Sequence, residues 1–267
     1  MSWRSLSRTR RIELAMPWLV TIGMLVVWEV GVIAFKVPSF ILPGPVEVWQ
    51  ALVRFNGPIW QHAGHTLFTT VLGFAFAVVF GVLLGVAIGS SRLVYNGLYP
   101  VLIGFNSVPK VAVVPVLVVW FGIGTVPAVI TAFMISFFPI VVNVATGLAT
   151  VEPELSDVLR SLGARRRDIL LKVGLPRAMP YLFASLKVAI TLAFVGSVIS
   201  ETVASNEGIG YLMIQASSRF QIPLVFAGLV VIAVLGIVMY VLFALVERRF
   251  TGWAMRGTQS ATVTTGS

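Results

Sequence analysis

Residues 66–89 read TLFTTVLGFAFAVVFGVLLGVAIG, twenty-four positions without one charged side chain. A helix rises about 1.5 Å per residue, so this run covers roughly 36 Å, more than the roughly 30 Å of hydrocarbon in a bilayer. It reads as a membrane-spanning helix. Gly73, Ala77, Gly81, Gly85 and Gly89 recur along it at every fourth position. Such a stripe lets another helix backbone approach closely, which is how helices associate where lipid removes the usual hydrophobic drive. The partner is either another span of the same chain or a second subunit, and the sequence leaves both open.

Five further apolar runs of spanning length lie at 14–35, 94–121, 127–149, 178–203 and 223–246. Only Glu29, Lys110, Lys187 and Glu201 place a charge inside any of the six. The whole chain agrees: of 267 residues 58% are hydrophobic and 11% charged, against about 25% charged in a soluble domain. The chain is therefore expected to be an all-α integral membrane protein with six transmembrane helices. The absence of cysteine excludes disulfides, thiolate nucleophiles and iron–sulfur clusters, and two histidines give little material for a metal site.

The net charge of +9 reads as topology rather than as nucleic-acid binding, because Lys and Arg collect on the cytoplasmic side of a bilayer. Fourteen basic residues lie in the N-terminal tail, at Arg92, in the 150–177 loop and in the C-terminal tail; the opposite loops hold Lys36, Arg54 and Arg219. Both termini and the 150–177 loop are expected in the cytoplasm. The domain organisation is then a basic tail at 1–13, a membrane domain at 14–249 and a tail at 250–267, disordered over 258–267. The first run resembles a secretory signal only superficially. Glu29 interrupts it and no small-x-small cleavage site precedes Lys36, so it reads as a retained anchor.

The four intramembrane charges are either pathway residues or partners in ion pairs. The candidates for the pathway are Lys110, Lys187 and Glu201. Lys110 lies in a run interrupted by Pro100, Pro109 and Pro115, and helices broken by proline tend to line cavities where their freed carbonyls are satisfied. His62 and His65 have no carboxylate near them in sequence and read as interfacial polar residues.

The loop 150–177 is too patterned for a simple connector. Pro153 suits a first helical turn, and Leu155, Val158, Leu159 and Leu162 follow the spacing of one helical face. Gly163 is placed to end that helix in the left-handed conformation. A second segment, 164–175, begins with Ala164 and Arg165 and carries Ile169, Leu170 and Val173 on an apolar side; Pro176 is expected to stop it before the fifth span. This helix–Gly–helix hairpin lies either in the lipid headgroup layer or against a cytoplasmic partner.

The loop resembles the EAA loop of binding-protein-dependent ABC importer permeases, whose pattern is Glu-Ala-Ala, three residues, Gly, nine residues, then Ile-x-Leu-Pro. Here it reads Asp157-Val158-Leu159, three residues, Gly163, nine residues, then Val173-Gly174-Leu175-Pro176. The first element departs from the pattern in all three residues, while the glycine and the Leu-Pro spacing are kept. Ile41-Leu42-Pro43-Gly44-Pro45 and the stretch from Ser200 to Leu212 are similar to the aliphatic sulfonate, taurine and nitrate branch of that family. The resemblance implies the MetI-like, type I permease fold with 150–177 as the ATPase-coupling loop. It further implies a second permease subunit forming a homodimer, two ABC ATPase subunits binding ATP and Mg, and an extracytoplasmic substrate-binding protein, in a bacterial inner membrane. The chain itself is then no enzyme and holds no cofactor. No Gly-x4-Gly-Lys-Ser/Thr phosphate loop occurs in it. The solute is expected to be small and anionic, with a pyrimidine-like vitamin precursor as the alternative. An intramembrane enzyme would need a Gly-x-Ser-x-Gly, His-Glu-x-x-His or paired-aspartate signature, and none occurs. An ion-driven carrier has only Glu29 and Glu201 to offer as coupling acids.

Overall fold

The computed structural model describes residues 8–149 and 158–251. Among them all regular structure is helical. In chain order the helices are α1 (Arg8–Ala34), α2 (Pro45–Arg54), α3 (Asn56–Gly89), α4 (Arg92–Ser107), α5 (Lys110–Phe121), α6 (Thr125–Ala149), α7 (Arg166–Ile169), α8 (Leu175–Ala204), α9 (Ile209–Ser218) and α10 (Ile222–Thr251). Among the described residues five helical stretches are long and apolar enough to cross a bilayer, and α4 with α5 makes a sixth if that bent pair is one crossing. Helix α1 takes in residues 8–13; the tail at 258–267 lies outside the described residues.

The expected third span is not one straight helix. Over 94–121 the chain bends by 83° between α4 and α5. Of the three prolines only Pro109 makes the break. Val108 before it is extended (φ −70°, ψ 126°), as the ring of a following proline demands. Pro100 and Pro115 sit inside their helices.

Pro176 also departs from expectation. It stops nothing, because α7, a π-type turn over Leu170–Gly174 and α8 follow one another directly, with Gly174 itself in helical conformation. Leu175 N–H donates to the Leu170 carbonyl, five residues back. The widened turn removes the clash that a proline ring makes with the carbonyl four residues earlier, so the helix continues past Pro176.

The chain divides into two compact units, Met1–Trp60 with Leu212–Val230 and Gln61–Tyr211 with Val231–Ser267. In the first, Trp28 of α1 meets Phe226 at 6.0 Å between ring centroids. The short helix α2 buries Val48 and Ala51 and exposes Val46, Trp49 and Val53. Its sequence starts it well: Pro45 needs no hydrogen-bond acceptor at the first position, and Glu47 faces the positive end of the helix dipole.

In the second unit the small-residue stripe of α3 lies against α6 of the same chain. A Cβ on Gly73 would come within 2.6 Å of Ala132 Cβ, on Gly85 within 2.7 Å of Val144 Cβ, and on Gly89 within 2.8 Å of Leu148 Cβ; Gly81 faces Ile140 in the same way. Ala77 is fully buried between them. The contacts keep one register along both helices, so α3 and α6 run parallel with their backbones close. Helices α6 and α8 are antiparallel and equally close: Gly147 meets Ala178 at one end, and Gly196 meets Ala132 at the other. Ile88, Val141 and Ala145 form a buried cluster covered by Val94, Tyr95 and Leu102 of α4.

Two turns in the first unit place a side chain where glycine would be easier. After α1, Lys36 has φ 49°, with Lys36 N–H donating to Ile33 and Val37 N–H to Val32. After α9, Phe220 has φ 56°, with matching bonds to Ser217 and from Gln221 to Ala216. Both are Schellman closures, in which a left-handed residue is favoured as Gly.

Candidate functional site

The α6–α8 hairpin is the first of the two places where the candidate side chains gather. Gly163 has φ +86°; its N–H donates to Arg160 and the N–H of Ala164 donates to Leu159 at 3.0 Å. This is the Schellman closure that the position of Gly163 predicts. It turns the chain from the helical residues 158–161 into Arg165 and α7. Val158 is 55% exposed and Leu162 78% exposed, while Leu159, Ile169, Leu170, Val173 and Leu175 are half-buried. Leu171 adds to the exposed apolar surface. Leu155 and Asp157 lie outside the described residues. Where the second arm of the hairpin runs into α8, Gly174 lies against Leu148 and Ala178 against Gly147, so the start of α8 is packed closely on the end of α6.

The second place is at the other end of the α6–α8 pair, around Glu201. This carboxyl is 1% exposed. Its Oε2 accepts from Thr66 Oγ1 at 2.9 Å and from Gly210 N–H at 3.1 Å. Ser197 Oγ stands 3.4 Å from Oε1 and shares a 2.5 Å hydrogen bond with Thr69. The first amides of α9 are otherwise orphan donors. Here Gly208 N–H donates to His62 Nδ1, Ile209 N–H to Thr66 Oγ1 and Gly210 N–H to Glu201. Three consecutive amides are thus held by side chains of α3 and α8. Gly208, at φ +101°, has no room for a side chain, since a Cβ there would overlap the Glu201 carboxyl.

His65 completes the cluster. Its Nε2 lies 3.2 Å from Glu207 Oε2 and 3.1 Å from Thr125 Oγ1, and its Nδ1 is 3.8 Å from Glu201 Oε1. Neither histidine has a carboxylate near it in sequence, but the fold brings Glu201 and Glu207 to His65. Both histidines pack against the turn at 205–208, and Gly124 N–H donates to the Ala204 carbonyl just before it. Among the described residues no group of three His, Asp or Glu side chains is arranged to hold a metal ion.

The remaining candidate charges are engaged locally. Lys187 Nζ pairs with Glu247 of α10 at 2.5 Å. Lys110, the first residue of α5, donates to the side chain of Asn106 at 2.7 Å and to its carbonyl, and so caps the end of α4 at the bend. Glu29 accepts from Val46 N–H at 3.3 Å. A groove lined by Leu72, Phe76, Phe80, Val126 and Phe133 offers no charged group to a solute.

Residues 77–252, from α3 through α10, match the family described as "Binding-protein-dependent transport system inner membrane component". The chain is an ABC importer permease. The permease is 35% identical over 94% of both chains to the riboflavin transport system permease protein RibX of Chloroflexus aurantiacus. It is 27% identical to the formylaminopyrimidine transport permease protein ThiX of Halalkalibacterium halodurans, over 89% of this chain and 95% of that one. It is 29% identical to the taurine transport system permease protein TauC of Escherichia coli, over 92% and 91%. Among solved structures its fold matches the inward-facing MetNI methionine ABC transporter with a TM-score of 0.63 at 21% identity, over 76% of this permease and 97% of that chain. The permease is a multi-pass inner-membrane protein of the MetI-like fold.

Proposed function

We propose that the α6–α8 hairpin docks a separate ATPase subunit and that the permease works as one of two identical copies. Two ATPase subunits bind ATP and Mg, and an extracytoplasmic binding protein delivers the solute. Both termini and the hairpin then face the cytoplasm, and the Glu201 cluster faces outward. The observation that carries this reading is the glycine-closed hairpin with Val158, Leu162 and Leu171 exposed. An apolar surface of this kind on a connecting hairpin suits a protein partner.

On this reading the mechanism follows from the packing. Closure of the ATPases around ATP draws the two hairpins together. Because α6 and α8 touch backbone to backbone near both ends, the pair moves as a lever and carries that displacement to the turn at 205–208. Lys110, at the α4–α5 bend, offers the path a positive group, whereas Lys187 is engaged by Glu247. Replacing Leu162 by Arg, at a position that contributes little to the permease's own packing, tests the docking surface. The ATPase should fail to co-purify with the variant; a complex of normal composition that transports would refute the docking role.

The solute is a small molecule of one of two classes. The likeness to TauC and the basic Lys110 favour a sulfonate-like anion; the likeness to RibX and ThiX favours a vitamin or its heterocyclic precursor. Calorimetric titration of the partner binding protein with taurine, riboflavin and formylaminopyrimidine separates them.

A further inference from the structure

Two glutamates in the membrane-spanning helices, one in each compact unit, are built into the same local arrangement. In the first unit Glu29 of α1 accepts from Val46 N–H, in the first turn of α2. The preceding Gly44 lies so close that a Cβ would stand 2.5 Å from Glu29 Oε2. In the second unit Glu201 of α8 accepts from Gly210 N–H, in the first turn of α9. Gly208 and Gly210 press on it, and a Cβ on Gly210 would stand 2.8 Å from Glu201 Cβ. Each arrangement thus combines an acid in a membrane-spanning helix, half-buried at Glu29 and fully buried at Glu201, a glycine whose lack of a side chain lets the backbone reach it, and a short helix from whose orphan amide it accepts.

We propose that Glu29 and Glu201 are positioning residues of the importer: each clasps, from within a span, the start of a short helix, and so fixes the turn that leads into it. Leu42-Pro43-Gly44-Pro45 and Gly208-Ile209-Gly210 are the two receiving ends of this device. Pro45 contributes by leaving Val46 as the first amide that needs an acceptor. The acids act on backbone amides of this chain rather than on a transported ion.

Gly44 gives the cleanest test, because its backbone (φ −73°, ψ 158°) suits any residue and the three atoms nearest to an added Cβ all belong to Glu29. The experiment is a double-mutant cycle on the full-length permease in nanodiscs, read by hydrogen exchange of residues 44–48. Gly44→Ala and Glu29→Ala should each speed exchange there about tenfold, as expected for loss of a charge-assisted hydrogen bond. Gly44→Ala should add nothing once Glu29 is alanine. At the second clasp, Glu201→Leu should speed exchange of residues 208–211 about tenfold, while Glu201→Gln, which keeps an acceptor, restores most of the protection. Thr66→Val, close to isosteric, removes the acceptor for Ile209 N–H and should loosen the same amides should the leucine variant fail to fold. Independent, additive effects of Gly44→Ala and Glu29→Ala would overturn the first clasp. Unchanged exchange at 208–211 in Glu201→Leu or Thr66→Val, or an equal loss in Glu201→Gln, would overturn the second.

Discussion

Replacing Gly85 by Ala perturbs the α3–α6 seam at one point. The added methyl would stand 2.7 Å from Val144 Cβ and 2.9 Å from the Val141 carbonyl oxygen, where 3.4–4 Å is ordinary contact. The carbonyl belongs to the α6 backbone, so a rotamer change relieves only part of the clash and the helices must part by several tenths of an ångström. Overpacking of this kind costs about 1–3 kcal/mol, against a gain of up to about 1 kcal/mol from the better helix propensity of alanine. At Gly64, on the same helix, an added methyl would meet nothing within 4 Å. Gly64→Ala therefore takes the propensity gain without the clash, and propensity cancels in the comparison. The difference between the two variants, read by equilibrium unfolding in mixed SDS micelles, should be about 1–3 kcal/mol with Gly85→Ala the weaker. Stabilities within about 0.3 kcal/mol of each other would refute the close-packed seam.

Three further outcomes follow. Phe220→Gly should stabilise the fold by up to about 1 kcal/mol by relieving the left-handed backbone; a loss of stability in the same micelles would show that the exposed ring has a packing role. Lys187→Met should destabilise by about 1–3 kcal/mol by removing the Lys187–Glu247 ion pair, and Lys187→Met with Glu247→Met should show a coupling of the two losses, whereas additive losses would dismiss the pair. The permease has no cysteine, so Asn206→Cys and Leu162→Cys can be labelled singly in intact cells. Membrane-impermeant maleimide should modify the first and spare the second; the reverse pattern would invert the proposed orientation.

How much of this is readable from the sequence depends on how far apart the interacting residues lie in the chain. The left-handed turn at Gly163 is legible because a Schellman closure is a matter of six consecutive residues. The stripe on α3 is legible as a close-packing face, but not its partner, since nothing in a helix sequence names the helix it meets; the structure supplies Ala132, Ile140, Val144 and Leu148. The Glu201 cluster escapes for the same reason more severely. Thr66 reaches Glu201 across 135 positions of sequence, and His65 meets Glu207 only because the start of α3 lies beside the end of α8. The bend at Pro109 is half legible: three prolines mark an interruption, and extended geometry at Val108 selects one. Pro176 misleads because a stop signal is overridden where a π-type turn makes room for the ring.

The central claim is that the hairpin closed by Gly163 is where a partner ATPase engages the permease. Co-expression of Leu162→Cys with the ATPase subunit, followed by treatment of membranes with a short bifunctional maleimide cross-linker, tests it directly. A permease–ATPase product should form at position 162, with no such product from Asn206→Cys at the other end of the α6–α8 pair. Equal cross-linking at both positions, or none at 162 in a complex that hydrolyses ATP, would contradict it.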